Sequence, residues 1–335
     1  MMRQLAVLPF LFAACASSTQ ITTIPAPEEN LRELELRQAE EKRRDIHTVL
    51  VRLDQAIDSY VQALSNQGEV RADRQAERLE HSIQDMVLDQ GPIVSTSAGV
   101  VGPPPGENYR KLQAIATDGS VPNNQAIALA ALGFSGQLEV MPTILQGAQL
   151  TDPHRVDHAV LGLAMLRAPS TPPGVLAAIV ERKEHPEDGR VQAAWALYRI
   201  QTVNEKQDEI IAIWRRLLTE QRDSLPTGVL VTAVRGLGYS RDKHSPDQHS
   251  PDQADSSLVA SFLRHPTPRL RMAGAIALAR MNAQDRVSDL LELLGPQENV
   301  QNVRLTARKA LADLAGGADY GYDLAAWRKA FERGQ

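Results

Sequence analysis

Leu270-Arg271-Met272-Ala273-Gly274-Ala275-Ile276-Ala277-Leu278 is the stretch that decides the fold. Gly274 and Ala277 lie four places and one place before Leu278, so all three positions share one helix face. The same arrangement occurs six times. The leucines are Leu132, Leu163, Leu197, Leu237, Leu278 and Leu311. One place earlier stand Ala131, Gly162, Ala196, Gly236, Ala277 and Ala310. Four places earlier stand Ala128, Ala159, Ala193, Ala233, Gly274 and Ala307. Successive leucines are 31, 34, 40, 41 and 33 residues apart. That spacing is the length of one helical hairpin, and its repetition is the signature of a solenoid. A single hairpin cannot bury its apolar face, so each repeat must supply the matching surface for the next.

Working outward, another apolar helical stretch precedes each of these helices: Tyr109–Ala116, Val140–Ala148, Gly174–Val180, Ile210–Leu218, Leu258–Leu263 and Val287–Leu294. Turn signals separate the partners, among them Asp152-Pro153, Pro266 with Pro268, and Gly295-Pro296. Proline suits a helix start and cannot continue a helix interior. Hydrophobic residues make up 43% of the chain and aromatic residues only 4%. That composition suits thin Ala/Leu seams between helices.

These helices resemble the second helix of the HEAT-repeat family, whose pattern is roughly Val-Arg-x-x-Ala-Ala-x-Ala-Leu. The 270–278 stretch matches it. So do Val303-Arg304-Leu305-Thr306-Ala307-Arg308-Lys309-Ala310-Leu311 and Arg190-Val191-Gln192-Ala193-Ala194-Trp195-Ala196-Leu197. The other three repeats carry Gln125, Val156 and Leu230 where the family favours Arg. The resemblance covers about residues 107–335. It implies an all-α, right-handed α-solenoid of about six HEAT-like helical hairpins; the stretch before it reads separately as an N-terminal helical hairpin. It implies a binding surface and no particular chemistry. Trp327 and Phe331, four apart, are expected to lid the last repeat, with Arg328, Lys329, Glu332 and Arg333 as its polar outer face.

Residues 1–14 read as an export signal: Arg3, the apolar run Leu5–Phe12, then Ala13-Ala14. Phe12-Ala13-Ala14-Cys15 resembles a bacterial lipobox, with Phe12 where Leu is usual. Cys15, the single cysteine, is then the expected lipidation site; the alternative is a conventional signal peptide with an incidental thiol. Ala16 after the cysteine resembles lipoproteins sorted to the outer membrane, facing the periplasm. Residues 15–28 read as a flexible tether. Over 29–90, the stripe Ile46, Val49, Leu50, Leu53, Ile57, Tyr60, Val61, Leu64 and a second through Ala76, Leu79, Ile83, Met86 and Val87 predict a helical hairpin turning at Asn66-Gln67-Gly68. It either caps the solenoid or forms a short dimerising coiled coil. Residues 91–106, with Pro103-Pro104-Pro105-Gly106, read as a linker.

Chemistry is sparse. There is no dinucleotide or Walker fingerprint, no zincin motif and no nucleophile elbow. One cysteine rules out multi-cysteine zinc sites. A formal net charge of −5 gives no support to nucleic-acid binding. His244-Ser245-Pro246-Asp247-Gln248 is repeated as His249-Ser250-Pro251-Asp252-Gln253. Its imidazoles, His244 and His249, with Asp247 and Asp252, suit zinc or nickel; a tandem duplication in a tolerant loop explains the same residues. Arg190, Arg271 and Arg304 share one repeat position. They are either a basic ladder for an acidic partner or hydrogen-bond donors at repeat junctions. The expected function is a non-catalytic envelope scaffold that binds a protein partner, without cofactor, anchored to a membrane by its lipid. Helix phase places Asn124, Gln125, His158, Gln192, Arg235, Arg271 and Arg308 on the partner face. The competing expectations are an enzyme or accessory resembling the bilin-lyase type of repeat protein, and a binder of cell-wall polysaccharide.

Overall fold

The computed structural model describes residues 27–65, 70–89, 106–240 and 252–332. The export signal, Cys15, the Asn66-Gln67-Gly68 turn, most of the Pro/Gly linker, and His244, His249 and Asp247 lie outside the described residues. Among the described residues there is no strand. Two helices come first, α1 (Pro27–Ser65) and α2 (Val70–Leu88). Paired helices follow: α3 (Glu107–Thr117) with α4 (Pro122–Gly133), α5 (Met141–Ala148) with α6 (Pro153–Leu166), and α7 (Pro173–Glu181) with α8 (Glu187–Ile200). Next come α9 (Gln207–Glu220) with α10 (Thr227–Leu237), α11 (Gln253–Ala260) with α12 (Pro268–Met281), and α13 (Val287–Leu294) with α14 (Gln301–Leu314). The last helix is α15 (Leu324–Glu332).

Backbone packing divides the chain into two units at His47/Thr48, inside α1. In the first unit, Pro27–His47 is helical and carries the exposed side chains Leu34 and Leu36. The second unit, from Thr48 onward, is an α-solenoid.

Local chemistry explains where the solenoid helices begin. Pro122, Pro153, Pro173 and Pro268 occupy first-turn positions, where a missing N–H costs nothing. Asp152 caps α6 by accepting from His154 N, and Asp252 caps α11 by accepting from Ala254 N and Asp255 N. All six repeat leucines are fully buried, and the small residues one place before them are buried with them. Where that small residue is glycine the packing of a neighbouring helix demands it. A Cβ on Gly162 would strike the Leu129 carbonyl oxygen of α4, and one on Gly236 would strike the Trp214 indole of α9.

Second helices of successive repeats pack closely along the whole array, from α4 against α6 through to α12 against α14. The first helices touch one another sparsely. A stack with one crowded layer and one splayed layer curves toward the crowded side. The second helices therefore form the inner layer of the array.

The hairpin of Thr48–Ser65 and α2 does more than close the first repeat. It abuts α3, where Asn108 Nδ2 donates to the Met86 carbonyl at 3.1 Å and Gly106 N to the Leu88 carbonyl at 2.7 Å. It also lies against the inner layer. The Tyr60 ring meets Phe134 edge-on at 5.3 Å, and its hydroxyl donates to Glu80 at 3.4 Å. Glu80 pairs with Arg199 of α8 at 3.8 Å, and Asp54 lies within electrostatic reach of His158 of α6. Burial pushes the Tyr60 hydroxyl up to about 12. The anticipated cap is thus also a cover over the first inner helices.

Candidate partner-binding face

Equivalent positions in the repeats show where that cover ends. Two places before each repeat leucine stand Ala130, Leu161, Trp195, Arg235, Ile276 and Lys309. Two places after stand Phe134, Met165, Arg199, Tyr239, Arg280 and Asp313. These positions face inward from the array. In α4 and α6 all of them are buried; in α8, α10 and α12 they are half-buried; in α14 they are exposed. The inner face is closed by the N-terminal hairpin at one end and open from α8 onward. The residue types change too: small or apolar in α4 and α6, they are mostly aromatic or cationic from α8 onward, with Ile276 and Asp313 as exceptions.

The open face has a built centre. Arg280 Nη1 donates to the Tyr198 hydroxyl and to the Arg235 carbonyl, both at 3.1 Å, and its guanidinium lies 4.3 Å from the Tyr239 ring centre. The Tyr198 and Tyr239 rings are 6.0 Å apart. Beside them, the Arg235 Nε is buried without a hydrogen-bond partner. Burial pushes the Arg235 pKa down; Tyr198 opposes this, and the positive charges of Arg280 and Arg269 reinforce it. Further along, Arg199 lies over Trp195 at 5.5 Å, and the Tyr322 ring lies between Arg304 and Arg308.

The seven residues expected on the partner face are strung along six helices and have separate surroundings. Asn124 is half-buried. Gln125 is buried, donates to the Ala116 carbonyl at 2.9 Å and accepts from Arg155 at 3.0 Å. His158 donates to the His154 carbonyl at 2.9 Å, and burial lowers its pKa. Gln192 donates to the Asp157 carbonyl at 3.0 Å, tying α8 to α6. Arg271 pairs with Glu298 at 2.7 and 2.9 Å and donates to the His265 and Pro266 carbonyls. Burial raises the Glu298 pKa, but Arg271 and the Val300 N–H outweigh it and the net shift is down. Arg308 grips Asp319 at 2.8 and 2.7 Å. Arg235 alone of the seven joins the aromatic and cationic centre. Tyr198, Tyr239, Arg269 and Arg280 were not anticipated there. For Tyr239 and Arg280 the legible signal was the position two places after the repeat leucine, where Phe134 and Met165 give way to Arg199, Tyr239 and Arg280.

Arg190, Arg271 and Arg304 act as junction donors. Arg190 Nε donates to the Val180 carbonyl at 2.8 Å and Arg304 Nε to the Leu294 carbonyl at 3.1 Å. Each reaches the end of the preceding first helix, where carbonyls lack intrahelical partners. Gln125 does the same work in the first repeat.

No group of three or more potential metal ligands gathers among the described residues. Asp252 is engaged as the α11 cap and lies 3.7 Å from Arg215. Next to it Asp255, fully buried, accepts two bonds from Arg215 at 2.7 Å and one from the Ser240 hydroxyl. A cleft of about 370 Å³ between α12 and α13 is lined by Arg264, Arg271, Asp289, Glu292 and Glu298, which pair with one another. No described helix is long and apolar enough to cross a membrane.

No family model matches the chain, and no curated protein matches its sequence. Solved structures do match. One is a crystal structure of an engineered protein: 18% identity, 64% of this chain and 98% of that one covered, TM-score 0.44. A second engineered protein shows 17% identity over 83% of this chain and 71% of that one, TM-score 0.43. The third is the complex of CpcE and CpcF of phycocyanin lyase from Nostoc sp. PCC7120: 15% identity, 81% of this chain and 92% of that one, TM-score 0.35. Superpositions this loose bear on neither fold nor function; the solenoid stands on its own buried seam.

Proposed function

We propose that this is a HEAT-type repeat protein acting as a non-catalytic scaffold of the bacterial cell envelope. It is held to a membrane through lipid on Cys15, outer and periplasm-facing by the residue that follows. The inner face from α8 to α14 receives a protein partner. The observation that carries this reading is the inner-face gradient: side chains equivalent by repeat position are buried under the hairpin in α4 and α6 and accessible beyond. The accessible set, Trp195, Tyr198, Arg235, Tyr239 and Arg280, belongs to the residue types that dominate binding energy at interfaces.

Photo-crosslinking residues placed singly at Trp195, Ile276 and Lys309 in intact envelopes test the face. Discrete adducts are expected there, and none from the exposed outer-layer positions Ala178 and Ala212. Adducts of equal yield from both layers defeat the proposal. The anchor is tested separately. The Cys15→Ser variant should move from the membrane fraction to the soluble periplasmic fraction; a variant that stays membrane-bound shows attachment by another route.

A further inference from the structure

The centre of the open face contains an energetic anomaly. Arg235 is half-buried, its buried Nε has no hydrogen-bond partner, and its electrostatic neighbours include two more guanidinium groups, Arg269 and Arg280. Taking a cation out of water is costly unless it is paired, and like charges beside it add to the cost. Four other arginines of the solenoid have carboxylate partners. Arg215 has Asp255, Arg216 has Glu181, Arg271 has Glu298, and Arg308 has Asp319. At the inner face no described carboxylate pairs with Arg235. The site is also held in place. Tyr198 and the Arg235 carbonyl hold Arg280, and Tyr239 stacks beneath it.

The geometry points to a recognition site for a carboxylate of an acidic peptide segment, with Arg235 and Arg269 as its cationic clamp and Tyr198 and Tyr239 as its aromatic wall. Guanidinium groups match carboxylates in planar, two-bonded geometry. The neighbouring inner positions favour a peptide over a small free anion. Trp195, Met272, Ile276 and Leu305 are apolar and accessible, and would seat the side chains flanking the acidic residue. This inference deepens the scaffold reading by naming the partner's chemistry, and it rests on that reading.

The test uses the purified protein and a fluorescent hexapeptide alternating Glu with Leu and Phe. Saturable binding is expected, at least tenfold weaker when each Glu is replaced by Gln and falling at high salt. Arg235→Leu and, independently, Arg269→Gln should each weaken it at least tenfold. Arg216→Ala, at an exposed pair with Glu181, should leave it unchanged. In the absence of peptide, Arg235→Leu should melt no lower than the parent, because it removes an uncompensated cation. A lower melting point with unaltered peptide binding makes Arg235 structural and overturns the proposal. Inorganic phosphate raising the melting point as much as the peptide, at equal concentration, overturns the peptide assignment. Residues 241–251, outside the described residues, carry two aspartates, Asp242 and Asp247; binding that appears only after both are changed to Asn assigns the carboxylates to this chain and overturns an external partner. Peptide binding without inner-face crosslinks in envelopes would defeat the scaffold and spare this site; crosslinks without peptide binding would do the reverse.

Discussion

Single residues here work mainly as spacers and as donors for orphan carbonyls. Gly236 is small because the Trp214 indole of the preceding helix occupies the space of its side chain, and Trp214 is itself held by Gln201 at 3.1 Å. Gly236→Ala should cost about 1–3 kcal/mol in urea unfolding, the usual penalty for overpacking a close-packed core. Arg190→Leu strands the Val180 carbonyl and should cost about 1–3 kcal/mol by the same measurement. Two repeats manage with Val156 and Leu230 at that position, so the donor is an increment of stability and not a condition of folding. Asp319 gives a residue-scale pH signature. Hydrogen bonds from Arg308 and from the Gly321 N–H hold its carboxyl down to about 2. Its folded pKa lies below the unfolded value, so its contribution is complete above pH ~4 and is lost as pH falls through about 2. A carboxyl-carbon NMR titration should find that midpoint, and Arg308→Ala should return it toward the ordinary range.

At the scale of elements, the N-terminal hairpin matters most, because it decides how much inner face is available. Its apolar stripes were readable: Leu50, Leu53, Ile57 and Tyr60, spaced three and four apart, are all buried. Its destination was not. A stripe says that a helix has a surface to bury, and any complementary apolar surface satisfies it equally. Tyr60→Ala should release the hairpin. Amide exchange should quicken in Thr48–Ser65, α2 and α4 while α12 and α14 keep their protection. Acid should act on the same contact. Burial lowers the His158 pKa, so the packing around it is fully stable above the ordinary imidazole value of about 6.5 and weakens as pH falls through the depressed folded value. Exchange in Leu50–Tyr60, corrected for intrinsic rate, should be faster at pH 5 than at pH 7.5. His158→Asn should abolish the difference.

The molecule as a whole is a stack whose stability propagates from neighbour to neighbour, so its ends need closing. At the far end α15 does this. Trp327 is fully buried, donates to the Gly321 carbonyl at 3.0 Å and is flanked by Tyr320 and Phe331. Trp327→Ala should cost about 3–5 kcal/mol locally. Limited proteolysis should then cut first in α14 and α13, with α3 to α8 protected. The repeat of small residues and leucine, by itself, determined that the chain is all helical, that it stacks in hairpins, and which six leucines are fully buried. That information is local, since residues three and four apart must share a face wherever the helix goes. Tertiary structure alone decided that the hairpin covers α4 and α6, that most arginines on the second helices satisfy carbonyls or acids inside the array, and that the Arg235 Nε is left without a hydrogen-bond partner in the neighbourhood of Arg269 and Arg280. Those outcomes depend on which side chains meet across tens of residues of separation, and helical phase along one segment carries no record of what approaches from another.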